Sequence, residues 1–220
     1  MDGLIDELGL TTAPARFTPR FNIAPSQTVA VIDNRPRDQR AVTGMRWGLV
    51  PRWAKDPAIG YKMINARSES VAEKPAFRDA LRRRRCLIPA DGFYEWKATG
   101  KSKTPFYMRK LSHQPFAFAG LWERWKAPDG EVLHSCTIIT TQANELLAPV
   151  HHRMPVIVAA EDYERWLEPS PLPPQAVDDI LVTTPAAGFE LYEVSRLVSS
   201  PKNETPACIA PAPKQGVLFT

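Results

Sequence analysis

The chain has 220 residues, 44% apolar and 24% charged, a balance that fits one globular core and excludes a disordered chain. Its net charge of +4 hides a gradient: residues 1–126 carry 23 Lys and Arg against 12 Asp and Glu, and residues 127–220 carry 5 against 12. No apolar run approaches the roughly 18 residues of a membrane span, and the acidic start Met-Asp-Gly-Leu-Ile-Asp-Glu does not read as a secretory signal.

Taken in order, residues 1–10 read as a short amphipathic helix, with Leu4, Ile5 and Leu8 on one side. Residues 16–25 are punctuated by proline and read as irregular. Residues 28–33 and 41–50 read as strands joined by a polar turn. Residues 74–85 read as a helix with Pro75 in its first turn. Strands are expected over 86–96, 105–109, 115–122 and 132–141, and Pro128-Asp129-Gly130 is a hairpin signal between the last two. Residues 144–150 suit one or two helical turns, 155–159 a short buried strand, 161–167 a helix, 175–181 a further helix and 191–194 a last strand. A proline-rich tail, irregular over about 204–220, follows. Many strands with few helices predict a single α+β domain over 1–220, mainly antiparallel.

The basic first half suits an anionic partner, of which nucleic acid is the commonest, and equally suits a solvated basic surface. The three cysteines, Cys86, Cys136 and Cys208, form no paired-thiol motif. No metal site, disulfide framework or cofactor is expected, and a reducing cytosol is the expected setting. Cys86 and Cys136 read as buried structural thiols.

Four polar clusters interrupt the apolar strands: Arg20–Pro25, Ile64–Glu69, Asp91–Lys97 and His151–Pro155. An extended second cluster puts Asn65, Arg67 and Glu69 on one face; in the third, Tyr94 and Trp96 would face the core while Phe93, Glu95 and Lys97 face out. Each cluster alone fits ordinary surface chemistry: a Glu beside a Trp is commonly an ion-pair partner, and a His beside an Arg is commonly structural.

Their order is more specific. Asn-x-Ala-Pro at Asn22–Pro25, Trp-Gly-Leu-Val-Pro-x-Trp at Trp47–Trp53, Asn-Ala-Arg-x-Glu at Asn65–Glu69, Gly-Phe-Tyr-Glu-Trp at Gly92–Trp96 and His-x-Arg-Met-Pro at His151–Pro155 resemble the SOS-response-associated peptidase family of abasic-site-processing proteins. Arg85–Ala90, Val194-Ser195 and Lys202-Asn203 add to the resemblance. It implies an α+β domain of antiparallel strands curled around a groove for single-stranded DNA. It also implies a reaction: an N-terminal Cys, exposed by loss of Met, joins the aldehyde of an abasic sugar as a thiazolidine. Peptidase- or lyase-type activity accompanies that crosslink.

By this resemblance His151 supplies the acid that opens the sugar hemiacetal, Glu95 shuttles protons during imine formation, and Asn65 anchors the N-terminus and the sugar. Arg67 contacts phosphate. Trp53 and Pro51 form an apolar wedge beside the lesion, with Trp47 in the core; the alternative for Trp53 is also a core position. Asn22, Glu69 and Arg153 belong to the DNA-binding motifs. The implied partner is single-stranded DNA containing abasic sites, with no membrane and no metal, for a monomer in the cytoplasm that joins the nucleoid when bound to DNA.

One motif is missing. Family members begin Met-Cys-Gly-Arg-Phe, whereas here Met1 is followed by Asp2 and Cys-Gly-Arg-Phe occurs nowhere. A start set too far downstream is expected rather than natural loss of the nucleophile, because Asn65, Arg67, Glu95 and His151 are all present. As written, the chain is expected to be inactive as a crosslinker. A non-covalent single-stranded-DNA binding module and a cysteine peptidase acting on other proteins are the alternatives.

Overall fold

The computed structural model describes residues 18–213; the expected helix over residues 1–10 lies outside them. Eleven strands are described, in two sheets. β1 (Thr28–Asp33), β2 (Val42–Trp47), β8 (Val132–Gln142), β7 (Phe116–Lys126) and β4 (Arg85–Ala90) pair in that order. β4 then pairs with β1, so these five close into a barrel. β3 (Asn65–Arg67), β9 (Arg153–Pro155) and β10 (Ile157–Val158) extend it. Pairing is antiparallel except where β2 and β3 run parallel to β8. The second sheet is antiparallel, in the order β11 (Phe189–Glu193), β6 (Ser102–Lys110), β5 (Phe93–Thr99).

Alternation along each strand divides the core. Val29, Val31, Met45, Cys86, Ile88, Phe118, Cys136 and Ile138 form one cluster, which fills the barrel interior. Their neighbours Ile32, Leu87, Ala119, Leu121 and Ile139 belong to a second cluster. Short helices cover that outer face: α1 (Arg78–Arg83) with Ala80 and Leu81, α2 (Tyr163–Trp166) with Trp166, and α3 (Pro174–Ile180) with Ile180. None of the described helices is long and apolar enough to cross a membrane.

The expected helix over 74–85 is shorter than read. Residues 74–77 form turns, and Arg85 starts β4 because its fully buried guanidinium is needed elsewhere. It donates to the carbonyls of Leu81, Arg82, Trp166, Glu168 and Ser170, tying α1 and α2 to the barrel. Burial pulls its pKa down to about 10, which still leaves it charged at neutral pH.

The expected strand over 86–96 is two strands in different sheets, broken at Asp91-Gly92. Gly92 is required there: a Cβ would overlap the Tyr107 ring. The 128–130 hairpin forms as read, with Gly130 at φ +96° and its N–H donating to the Ala127 carbonyl at 2.9 Å.

The first half of β5, Phe93–Trp96, is covered on both faces while Lys97–Thr99 are exposed, so the expectation that Phe93 faces out is corrected. Phe93 packs edge-on against Phe118 with centroids 5.8 Å apart, which places it against the barrel core. Tyr94 and Trp96 face the other way, into a third cluster with Tyr107, Tyr192, Val194, Val198 and Cys208. That cluster is where the later chain docks. Cys208 is buried with its thiol 3.4 Å from the Asn203 carbonyl.

Candidate functional site

Glu95 leaves β5 on the same side as Phe93, toward the barrel. His151 reaches it from the loop before β9. That loop is fixed by Asn144, whose Oδ1 accepts from the Leu147 N–H at 3.0 Å and whose Nδ2 donates to the Thr184 carbonyl at 3.0 Å. Leu147 anchors the loop in the barrel core, and the His151 N–H donates to the Leu147 carbonyl at 3.0 Å. The result is a His151 Nδ1 to Glu95 Oε2 distance of 3.6 Å.

The environment of Nδ1 is specific. The Arg153 N–H points at it from 3.2 Å, and the Arg153 carbonyl oxygen lies 3.0 Å away. A neutral ring protonated on Nε2 accepts from that N–H. A protonated ring donates to the carbonyl and faces the carboxylate. The site therefore accommodates both charge states of His151. Burial pushes the Glu95 carboxyl above the ordinary carboxylate range, and His151 pulls it partly back. Both side chains keep an open edge, 35% exposed for His151 and 22% for Glu95.

A second group lies where β3 and β9 meet the end of β8. Thr140 pairs with Arg67 on one side and Pro155 on the other. Arg153 donates through both terminal nitrogens to Glu69, at 2.6 and 2.9 Å, and also to the Thr140 carbonyl at 2.6 Å. That forked bond holds the Glu69 carboxyl below its usual range. Asn65 and Arg67 flank buried Ala66 and are both exposed. Neither side chain has a hydrogen bond or ion pair among the described residues; Arg67 adds only a longer-range attraction to Glu69, and its guanidinium stands on an open face.

The motif residues thus divide. Glu95 and His151 meet, and Glu69 and Arg153 meet. Glu69 lies beyond the end of β3, in a 3-10 turn (Ser68–Ser70), so it departs from the expected shared face with Asn65 and Arg67. Arg153 is a brace between β9 and the turn after β3, its guanidinium already spent on Glu69 and Thr140. Asn22, expected among DNA contacts, is corrected: it is 5% exposed, and its Nδ2 donates to the carbonyls of Val198, Ser200 and Asn203 at 3.0–3.1 Å. Glu204 completes this clamp by accepting from the N–H groups of Phe21 and Asn22 and from Arg20. Asn22 therefore ties the start of the described chain to its end.

Trp53 is 60% exposed, against the core alternative, whereas Trp47 packs against the core and donates from Nε1 to the Ile64 carbonyl at 2.8 Å. Pro51 is buried, which corrects its place in an exposed wedge; it supports the loop, and its carbonyl accepts from the Ala54 N–H at 2.9 Å. Trp125 pins the same loop by donating to the Ala54 carbonyl at 2.7 Å. Sequence reading missed Arg46 and Tyr61, whose guanidinium and ring stack at 5.2 Å. The signal for them was a basic residue in β2 opposite in phase to core Met45, and a tyrosine four residues before Asn65.

The cysteines offer no in-chain nucleophile: all three are buried. Burial pushes the Cys86 thiol well up and the Cys136 thiol up to about 12, far from the thiolate a nucleophile needs.

The chain is 48% identical over 194 residues to the abasic site processing protein YoqW of Bacillus subtilis, covering 88% of this chain and 86% of that protein. It is 32% identical over 227 residues to the abasic site processing protein HMCES of Gallus gallus, covering 89% and 67%. A crystal structure of a Bacteroides thetaiotaomicron protein superposes with a TM-score of 0.77 at 29% identity, covering 85% of this chain and 82% of that one. The family model for the SOS response associated peptidase matches residues 2–201, and the chain belongs to that family.

Proposed function

We propose that this protein processes abasic sites in single-stranded DNA as part of DNA repair, holding the damaged sugar at the Glu95–His151 pair. The observation that carries the reading is that pair: a carboxyl raised by burial, 3.6 Å from a histidine whose Nδ1 is served in both charge states, at an open edge.

The chemistry fits those properties. An abasic sugar rests mainly as a closed hemiacetal, and protonated His151 donates to the ring oxygen to release the aldehyde. An amine then adds to the aldehyde carbon, and water leaves as the imine forms. Glu95 takes the proton from the amine and returns one to the departing hydroxyl, a task suited to a carboxyl that burial raises above the ordinary carboxylate range. Asn65 anchors the sugar through neutral hydrogen bonds. In family members an N-terminal Cys then closes a thiazolidine through its thiol. The same proton-transfer pair serves reversal of that linkage, which is lyase-type chemistry. A peptidase using an in-chain cysteine is disfavoured by the burial of all three thiols.

Arg67 is the phosphate contact of this reading, since its guanidinium is exposed and makes no hydrogen bond among the described residues. Arg67→Ala is expected to weaken binding of abasic and intact single strands alike and to reduce the salt slope of log K by about 1. Anisotropy titrations across a salt series measure both, with a thermal melt to show that the fold is kept. Binding by the wild type that is insensitive to salt, or that does not distinguish abasic from intact strands, would contradict the proposal. Salt-sensitive binding without lesion preference is the outcome expected of a plain single-stranded-DNA binding module.

A further inference from the structure

Two large aromatic side chains are exposed among the described residues, Trp53 at 60% and Tyr61 at 62%. They lie within one stretch of chain and share basic surroundings. Water contact over most of an indole and most of a phenol ring costs free energy that burial elsewhere would recover. Arg46, from the outer face of β2, covers the Tyr61 ring at 5.2 Å. Between the Trp53 loop and the 3-10 segment Pro57–Lys62 lies an open hollow of about 380 Å³, lined among others by Trp53, Lys55, Ile59 and Lys62. Asp56 also lines it, but its Oδ1 is spent on the Ala58 N–H at 2.8 Å.

We infer that the Arg46–Tyr61 ledge and the hollow beside Trp53 form a further nucleobase-binding subsite, which carries the single strand beyond the lesion. This rests on the single-stranded-DNA reading above and adds to it residues outside the motif set. The charge favours a polyanion: Arg46 lies over the Tyr61 ring, and Lys55 and Lys62 line the hollow beside Trp53 against the single carboxylate of Asp56. The aromatic faces favour unpaired bases, because every base offers a π surface and stacks without regard to sequence. The Arg46 guanidinium over Tyr61 extends that platform, since its plane also accepts a stacked base.

Position favours the same occupant. Tyr61 precedes Asn65 by four residues, so their Cα atoms are at most about 14 Å apart. The intervening chain is fixed by the Met63 carbonyl accepting from the Leu49 N–H and the Ile64 carbonyl accepting from Trp47. A strand held at Asn65 and Arg67 therefore meets Tyr61 within a few nucleotides. A plain surface cation–π pair explains the 5.2 Å stack, but not the second exposed aromatic or the two lysines lining the hollow.

The test uses the whole protein and abasic oligonucleotides: a short one that spans the lesion and little else, and longer ones extended on either side. Wild type is expected to bind one extended strand more tightly than the short one. Tyr61→Ala is expected to remove about tenfold of the affinity for that strand, the size of one base stack, and to leave the short one unchanged. Tyr61→Trp is expected to keep the gain, and Arg46→Gln to lose part of it. Tyr61 is exposed, so a thermal melt is expected to be unmoved. A Tyr61→Ala protein with wild-type length dependence, or one equally weakened on short and long strands, overturns the subsite while leaving the proposed function standing. Wild type that binds no abasic strand of any length overturns both.

Discussion

A version of this protein carrying Met-Cys-Gly-Arg-Phe ahead of Met1 is expected to form an adduct with abasic single-stranded DNA that survives a denaturing gel. The polypeptide Met1–Thr220 is expected to bind the same DNA and release it on denaturation. The difference is chemical. With Met removed, the cysteine amine adds to the sugar aldehyde, water leaves, and the neighbouring thiol adds to the imine carbon to close a five-membered ring. Met1–Thr220 has no thiol beside its amine, and its three cysteines are buried. Replacing the added cysteine by alanine is expected to abolish the stable adduct while leaving binding intact. Folded extended protein that forms no adduct would mean that Glu95, His151 and Asn65 do not surround a reacting carbon.

In that extended protein Glu95→Gln is expected to slow adduct formation by roughly 10²- to 10⁴-fold, the usual worth of a positioned acid–base group. Glutamine keeps the shape and loses the proton transfer. His151→Ala is expected to fall in the same range, and the double variant to fall less than the product of the two, because both act at one centre. Glu95→Gln also carries a stability signature. The Glu95 carboxyl is raised in the folded state, so ionising it costs stability once the pH passes the unfolded value of about 4. Glu95→Gln is therefore expected to melt higher than wild type near neutral pH, with the gain shrinking as the pH falls to that value. His151, when protonated, offsets part of the cost and reduces the gain. A variant that loses activity and also melts lower near neutral pH would mark Glu95 as a structural ion-pair partner.

Local pattern made some of this visible. β1 was legible because Val29 and Val31 alternate with Ala30 and Ile32, and both sets found a core, one inside the barrel and one under the helices. The 128–130 hairpin was legible because a positive φ at Gly130 is a local requirement. The break at Gly92 was not, because it is required by the Tyr107 ring from another strand. β5 was half legible: Tyr94 and Trp96 do point into a core, but a second core behind Phe93 exists only once the barrel has closed.

The candidate site divides in the same way. Glu95 and His151 stood out as polar residues interrupting apolar segments, and only the family resemblance, not any local pattern, implied that they serve one centre. Asn22 looked identical by that criterion, yet its partners are carbonyls at 198, 200 and 203, beyond the reach of any local pattern. Arg153 and Glu69 lie 84 residues apart, so sequence gave no sign that they cancel each other's charge. Tyr61 belonged to no motif, and its exposure became informative only with Arg46 stacked on it.

The most direct test of the central claim is to label Met1–Thr220 with ¹³C and ¹⁵N, assign the His151 ring and the Glu95 carboxyl by NMR, and titrate with abasic single-stranded DNA. The account predicts that these two groups, with Asn65, Arg67 and the Trp53 indole, shift most, and that an intact strand moves Arg67 and Trp53 while leaving the Glu95–His151 pair little changed. Abasic DNA that binds yet leaves both His151 and Glu95 unmoved would contradict it.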